Sequence, residues 1–113
     1  MKFKYRFRIR QFEVIDGDTV DVELDMGLGH RMEERIRMAN INAPETRTKN
    51  LDEKARGLAA KSWLQQRMEQ AELLVCESVK FRRGKYGRVL GYIVADGANL
   101  NLLMLEENIV DEY

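Results

Sequence analysis

The chain has 113 residues, of which 44% are hydrophobic and 34% charged, and its 19 basic and 19 acidic side chains give a net charge of zero. This composition predicts one globular domain spanning residues 1–113 and excludes a disordered or collagen-like chain. The zero net charge argues against a protein that coats nucleic acid along its whole surface.

The sequence gives no signal for a membrane or for export. Its apolar runs are too short to cross a bilayer, and the N-terminus alternates basic and apolar residues, unlike a secretory signal. Cys76 is the only cysteine, so no intrachain disulfide can form. We therefore expect a cytoplasmic monomer without a membrane partner.

The first half of the chain predicts three β-strands. Apolar and basic residues alternate over residues 3–10, as in a half-buried strand, and the alternation changes parity near Gln11, which predicts a bulge. A second strand covers residues 20–24. The glycines within residues 27–29 predict a hairpin into a third strand, over about residues 31–41, which a proline then ends.

The second half predicts a helix, two further strands and a final helix. Apolar residues recur at helical spacing over residues 52–70, and strands follow at residues 73–81 and 88–95. Asn99 can cap the last helix, and Asn108 can take the left-handed conformation that ends it. The order favours an α+β, mainly β fold, a five-stranded OB-fold barrel with two to three helices, although other α+β layouts share this order.

Three short sequence motifs carry side chains suited to binding a cation or a phosphate. Residues 14–20 place two acids around a glycine, which suits a hard cation but also an ordinary turn. Arg37 precedes Pro44 and Glu45, a combination that can bind phosphate and activate water, or form surface ion pairs. Residues 82–88 form a basic loop with one tyrosine, suited to nucleic acid or simply to solvent.

Together these motifs resemble the staphylococcal nuclease (thermonuclease) family, from about Val14 to about Val110. The matching motifs are Ile-Asp-Gly-Asp-Thr-Val at residues 15–20, Ala-Pro-Glu-Thr at residues 43–46 and Lys-Tyr-Gly-Arg at residues 85–88. An Ala-Asp-Gly turn before the last helix is a fourth. The resemblance implies an OB barrel with helices, in agreement with the predicted order of elements.

The same resemblance implies a calcium site. Asp18 and the Ala43 carbonyl would be ligands, and Asn42 stands where the family pattern has an aspartate. An asparagine can coordinate through its amide oxygen, but affinity for a hard cation falls with the charge of its ligands.

The resemblance also implies catalytic and substrate-binding roles. Glu45 would be the general base for the attacking water, and Arg37 and Arg88 would neutralise charge on the phosphate in the transition state. Lys85 and Tyr86 would lie along the nucleotide phosphates.

The implied function is a calcium-dependent nuclease acting on phosphodiesters of DNA or RNA, with single-stranded substrates favoured. Asn42 leaves open a second interpretation, a catalytically weak or inactive OB-fold module that binds nucleic acid. A third is a structural domain that contacts another protein.

Overall fold

The structure, a computed structural model, describes the backbone of residues 5–83 and 89–113 and the side chains of residues 5–78 and 89–113. Its elements in chain order are β1 (Tyr5–Asp16), β2 (Thr19–Gly27), β3 (His30–Met38), β4 (Ile41–Asn42), α1 (Leu51–Gln70), β5 (Leu74–Arg83), β6 (Val89–Ala95), β7 (Ala98–Asn99), α2 (Leu100–Glu106) and β8 (Asp111–Glu112). Neither described helix has the length and apolar character needed to cross a bilayer.

Five of the strands close into a barrel. They pair in the order β3-β2-β1-β5-β6, and β3 then pairs with β6 to complete the ring. The closing pair is parallel, with Ile36 opposite Val89 and Met38 opposite Gly91, whereas the other pairs of the ring are antiparallel. With α1 and α2 as the helices of the described residues, this is the predicted α+β, mainly β barrel of the OB type.

The predicted bulge in β1 is confirmed. The pairing of β1 with β2 shifts register between Ile9 and Gln11. This shift lets residues of opposite parity face the same side, because Ile9 and Val14 are both buried while Phe7 and Phe12 pack against the same core.

The prediction that the third strand runs to residue 41 was wrong. β3 ends at Met38, and Asn40 has a φ of 66°, so the chain turns before β4 begins. The turn is fixed by distant groups: the Ala39 N–H donates to the Gly91 carbonyl at 2.8 Å. The Asn101 side-chain amide donates to the Ala39 carbonyl at 2.9 Å.

The helix predicted from residue 52 begins at Leu51. The side chain of Asn50 caps it by accepting from the N–H groups of Asp52 and Glu53, each at 3.1 Å. The face that α1 turns to the barrel is formed by Gly57, Ala60, Leu64 and Met68. At the second helix both predicted caps are confirmed: Asn99 accepts from Leu102 N–H, and Asn108 has a φ of 57°.

The core lies inside the barrel and beneath both helices. Its buried side chains are Ile9, Val14, Val20, Val22, Leu24, Ile36, Met38, Ile41, Ala60, Leu64, Met68, Leu74, Cys76, Ile93, Ala95, Leu100, Met104 and Val110. Apolar burial on this scale anchors the strand ends that carry the polar residues described next.

Candidate active site

A cleft of about 280 Å³ opens where the β1–β2 turn, the end of β3 and the segment after β4 meet. It brings together five residues predicted from the sequence: Asp18, Arg37, Asn42, Ala43 and Glu45. The remaining walls come from Asp16, Thr19, Pro44 and Tyr113. The other predicted residues, Lys85, Tyr86 and Arg88, lie outside the described residues.

Asp18 is the buried carboxylate of the cleft, with 9% of its surface exposed. Its Oδ1 accepts from the Thr19 hydroxyl at 2.9 Å, and its Oδ2 accepts from the Ala43 N–H at 2.9 Å. The backbone carbonyl of Asp18 also accepts from the Met38 N–H at 2.8 Å. These bonds hold Asp18 between the end of β3 and the segment that follows β4.

Arg37 provides the positive charge beside Asp18. Its Nη2 lies 3.4 Å from Asp18 Oδ2, and each of these side chains is only 13% exposed. Its Nη1 donates to the Met38 carbonyl at 2.9 Å, while its Nη2 donates to Asn42 Oδ1 at 3.5 Å. The Tyr113 ring lies 5.5 Å from the guanidinium carbon, within range of a cation–π interaction. Arg37 thus balances the charge of Asp18 at the wall of the cleft.

Glu45 stands at the exposed rim of the cleft, directly after Pro44. Its backbone N–H donates to Glu53 Oε1 on α1, at 3.5 Å. On the following residue, the Thr46 hydroxyl donates to Asp16 Oδ1 at 2.6 Å. The backbone around Glu45 is therefore fixed from two sides, while its carboxylate faces solvent.

Asp16 and Tyr113 also line the cleft, although neither is among the site residues predicted from the sequence. Asp16 is the first acid of the turn before Asp18, and its bond to Thr46 forms only in the folded chain. Tyr113 arrives through the small sheet formed by β4 and β8, in which Asn42 is opposite Asp111. The Tyr113 N–H extends this pairing by donating to the Asn40 carbonyl at 3.0 Å.

The donors that could hold a cation are all oxygens: the Asp18 carboxylate, the Asn42 amide oxygen and the Ala43 carbonyl. Oxygen donors fit calcium, which prefers them to nitrogen or sulfur. Over the described ranges, no three Asp, Glu, His or Cys side chains are grouped so that they could hold a metal ion. The set thus has one charged member, Asp18, and its fit to calcium rests on the oxygen donor types alone.

Comparison with known proteins gives the family. A family model described as "Staphylococcal nuclease homologue" matches residues 35–110, which is more than half of the chain. The chain belongs to the staphylococcal nuclease homologue family. Four of the five predicted cleft residues, Arg37, Asn42, Ala43 and Glu45, lie within the range that this family model matches, and Asp18 lies before it.

A curated relative agrees with this membership. A thermonuclease of Staphylococcus intermedius is 27% identical over 96 residues, which cover 85% of this chain and 54% of the relative. The chain therefore spans about half of the length of this curated relative.

Proposed function

We propose that the protein is a nuclease that hydrolyses phosphodiester bonds in DNA or RNA. The observation that carries the proposal is the meeting of a buried carboxylate, a guanidinium and an exposed carboxylate in one cleft. Membership of the staphylococcal nuclease homologue family supports it. Action as a monomer, and a preference for single-stranded substrate, stay predictions.

Each charged group has a distinct part in the proposed reaction. The Glu45 carboxylate takes a proton from the water that attacks phosphorus, as a general base at the solvent-facing rim. The Arg37 guanidinium donates hydrogen bonds to phosphate oxygens as negative charge builds on them. We assign the same part to Arg88, and contacts with nucleotide phosphates to Lys85 and Tyr86, from the family resemblance.

Asp18, Asn42 and the Ala43 carbonyl would hold the calcium ion. When bound, this ion supplies positive charge beside the phosphate and polarises it. Because Asn42 is neutral, we expect weaker calcium affinity than two carboxylates would give. The burial of Asp18 and its bonds to Thr19 and Ala43 keep its carboxylate fixed for this role.

Cleavage of single-stranded DNA with increasing calcium, and with a chelator, tests the proposal. We expect calcium-dependent hydrolysis that the chelator abolishes. Single-stranded RNA in a parallel series gives the substrate preference. Absence of hydrolysis at millimolar calcium, in protein shown to be folded by circular dichroism, would contradict the proposal.

A nucleic-acid-binding module without turnover is the second candidate function. It is favoured by the pairing of Arg37 with Asp18, which gives this buried carboxylate a positive partner without a cation, and by the neutral Asn42. Binding of single-stranded DNA that survives chelation, with no cleavage, would establish this function instead.

A further inference from the structure

Helix α1 passes directly beneath the backbone that carries Glu45. The closest approach is at Gly57, which is buried and is the one glycine of this fully described helix. A β-carbon placed on Gly57 would lie 2.7 Å from the carbonyl oxygens of both Pro44 and Glu45, and 2.9 Å from the Glu45 carbonyl carbon. Only glycine leaves room for this contact.

A glycine at this position weakens the helix, since glycine is a poorer helix former than alanine. The backbone contact at Gly57 offers a physical reason for this residue. One turn earlier on α1, the Glu53 carboxylate accepts from the Glu45 N–H at 3.5 Å. The same face of α1 therefore contacts the backbone of Glu45 at both its N–H and its carbonyl.

The other half of the cleft rests on the same helix. A β-carbon on Gly17, in the turn before Asp18, would lie 2.7 Å from the Ala60 β-carbon and 3.0 Å from that of Ala43. Gly57 and Ala60 are three residues apart and share the buried face of α1. The turn that precedes Asp18 and the segment that carries Glu45 are thus both seated against one short stretch of helix.

We propose that Gly57 is a positioning residue for Glu45: by letting α1 and the Pro44–Glu45 backbone touch, it sets where the general base stands relative to Asp18. This inference rests on the proposed function of Glu45. A side chain at position 57 leaves the base chemically intact but moves it away from the cleft. To reach an ordinary contact of 3.4 Å, the carbonyl oxygens would have to retreat by about 0.7 Å.

The test is Gly57→Ala in the full chain, assayed on single-stranded DNA at saturating calcium. A misplacement of about 1 Å in a catalytic group can cost on the order of 10²-fold. We expect kcat to fall by about tenfold or more, while KM and the calcium-induced rise in melting temperature change by less than about twofold.

The matched control is Leu64→Val, a core change two turns further along the same helix. It lowers stability without contacting Glu45, so kcat at a temperature well below melting should equal that of the wild type. If Gly57→Ala loses no more activity than Leu64→Val, the positioning role is overturned.

A milder variant covers the case in which Gly57→Ala does not fold. Glu53→Ala removes the other contact of α1 with the Glu45 backbone and leaves the helix core untouched. We expect kcat to fall severalfold with KM unchanged, whereas Glu69→Ala near the end of α1 should have no effect. Unchanged kcat in Glu53→Ala would contradict the inference.

A readout without turnover separates this inference from the proposed function. In amide NMR spectra, the resonances of Glu45 and Thr46 should shift in Gly57→Ala and stay in place in Leu64→Val. If these shifts occur but Glu45→Gln is fully active, the helix positions Glu45 and the assignment of the base is what fails. If no shift occurs, α1 does not position Glu45.

Discussion

Two carboxylates of the cleft have opposite surroundings. Asp18 is buried beside Arg37, and its carboxylate accepts hydrogen bonds from the Thr19 hydroxyl and the Ala43 N–H. Among the described residues, the Glu45 carboxylate has no hydrogen bond or ion pair, and it is exposed. A carboxylate held in place by donors suits charge stabilisation, whereas a solvent-facing one can exchange a proton with water.

This difference makes Glu45→Gln the decisive single substitution. The amide has nearly the same shape but cannot accept a proton, so we expect turnover to fall by about 10²–10⁴-fold, the usual contribution of a general base. Binding of single-stranded DNA and the melting temperature should hardly change. Glu33→Gln, at an exposed position of β3, is the control. Equal turnover in wild type and Glu45→Gln would remove Glu45 from the mechanism.

Asn42→Asp adds the negative charge that the family pattern places at this position. Asn42 Oδ1 accepts from Arg37 Nη2 at 3.5 Å, and the same Nη2 lies 3.4 Å from Asp18 Oδ2, so a carboxylate at position 42 would line the cleft beside the proposed cation site. We expect calcium to bind about tenfold more tightly, which corresponds to about 1.4 kcal/mol. The calcium-induced rise in melting temperature should grow accordingly, by mass action on the native state.

Calorimetric titration and paired melting curves measure this change. Without calcium, the variant should be less stable than wild type, because two carboxylates then share the charge of one guanidinium. Asp111→Asn, on the strand opposite Asn42, controls for the general effect of charge on β4 and β8. An Asn42→Asp variant that gains neither affinity nor calcium-linked stability would place position 42 outside the cation site.

At the scale of elements, local sequence patterns predicted those features that depend on neighbouring residues. The parity change near Gln11 gave the bulge of β1, and Asn99 and Asn108 gave both ends of α2. The end of β3 could not be read this way. It depends on hydrogen bonds from Ala39 and Asn101 to partners far away in sequence, which leave no periodic pattern.

The part of the candidate site that lies close together in sequence could be predicted, and the part that depends on distant strand pairing could not. Arg37, Asn42 and Glu45 fall within nine consecutive residues, so their proximity is nearly local. Asp18 lies close to them because the next residue, Thr19, pairs with Arg37 across the β2–β3 hairpin. The glycines within residues 27–29 predicted this hairpin. Tyr113 could not be placed, since β4 and β8 pair over only two residues each and carry no alternation.

Asn101 is the clearest case of a residue that fixes the end of an element, here β3, from a distant part of the sequence. It is 1% exposed, its Oδ1 accepts from the Ile93 N–H, and its Nδ2 donates to the carbonyls of Ala39 and Gly91. Asn101→Ala removes the side-chain partner of the Ile93 N–H and of the Ala39 carbonyl, whereas the Gly91 carbonyl keeps its bond from the Ala39 N–H. We expect a loss of at least about 3 kcal/mol in the free energy of unfolding.

Urea denaturation measures this loss against a second asparagine. Asn99→Ala removes only the cap of α2 and should cost about 1 kcal/mol. If the two variants are equally stable, Asn101 does not fix the corner between β3 and β6.

For the molecule as a whole, Cys76 reports whether the barrel is closed. It has 0% exposure inside the core, and burial raises the pKa of its thiol to about 12. The thiol therefore stays protonated and unreactive in the native state at pH 8, whereas an unfolded chain, with a pKa near its ordinary value of 9.0, exposes a fraction of thiolate.

We expect alkylation of Cys76 by iodoacetamide at pH 8 to require global unfolding. Its rate, followed by mass spectrometry, should rise with urea in parallel with unfolding measured by circular dichroism. A short peptide containing the same cysteine is the control for intrinsic reactivity. Rapid labelling of Cys76 without denaturant would mean that the barrel opens locally around β5.

The parallel pairing of β3 with β6 has a consequence for the order of folding. Arg37 lies on this pair, opposite Thr19 on one side and Leu90 on the other. The β2–β3 hairpin joins strands that are neighbours in sequence, whereas the β3–β6 pair joins residues such as Arg37 and Leu90 from opposite halves of the chain. We expect the β3–β6 pair to form later, because contacts between distant residues are slow to form. In a partly folded chain with an open barrel, Arg37 would therefore be paired with β2 but not with β6. Phosphate affinity should emerge in refolding together with the last, slowest loss of exposed apolar surface.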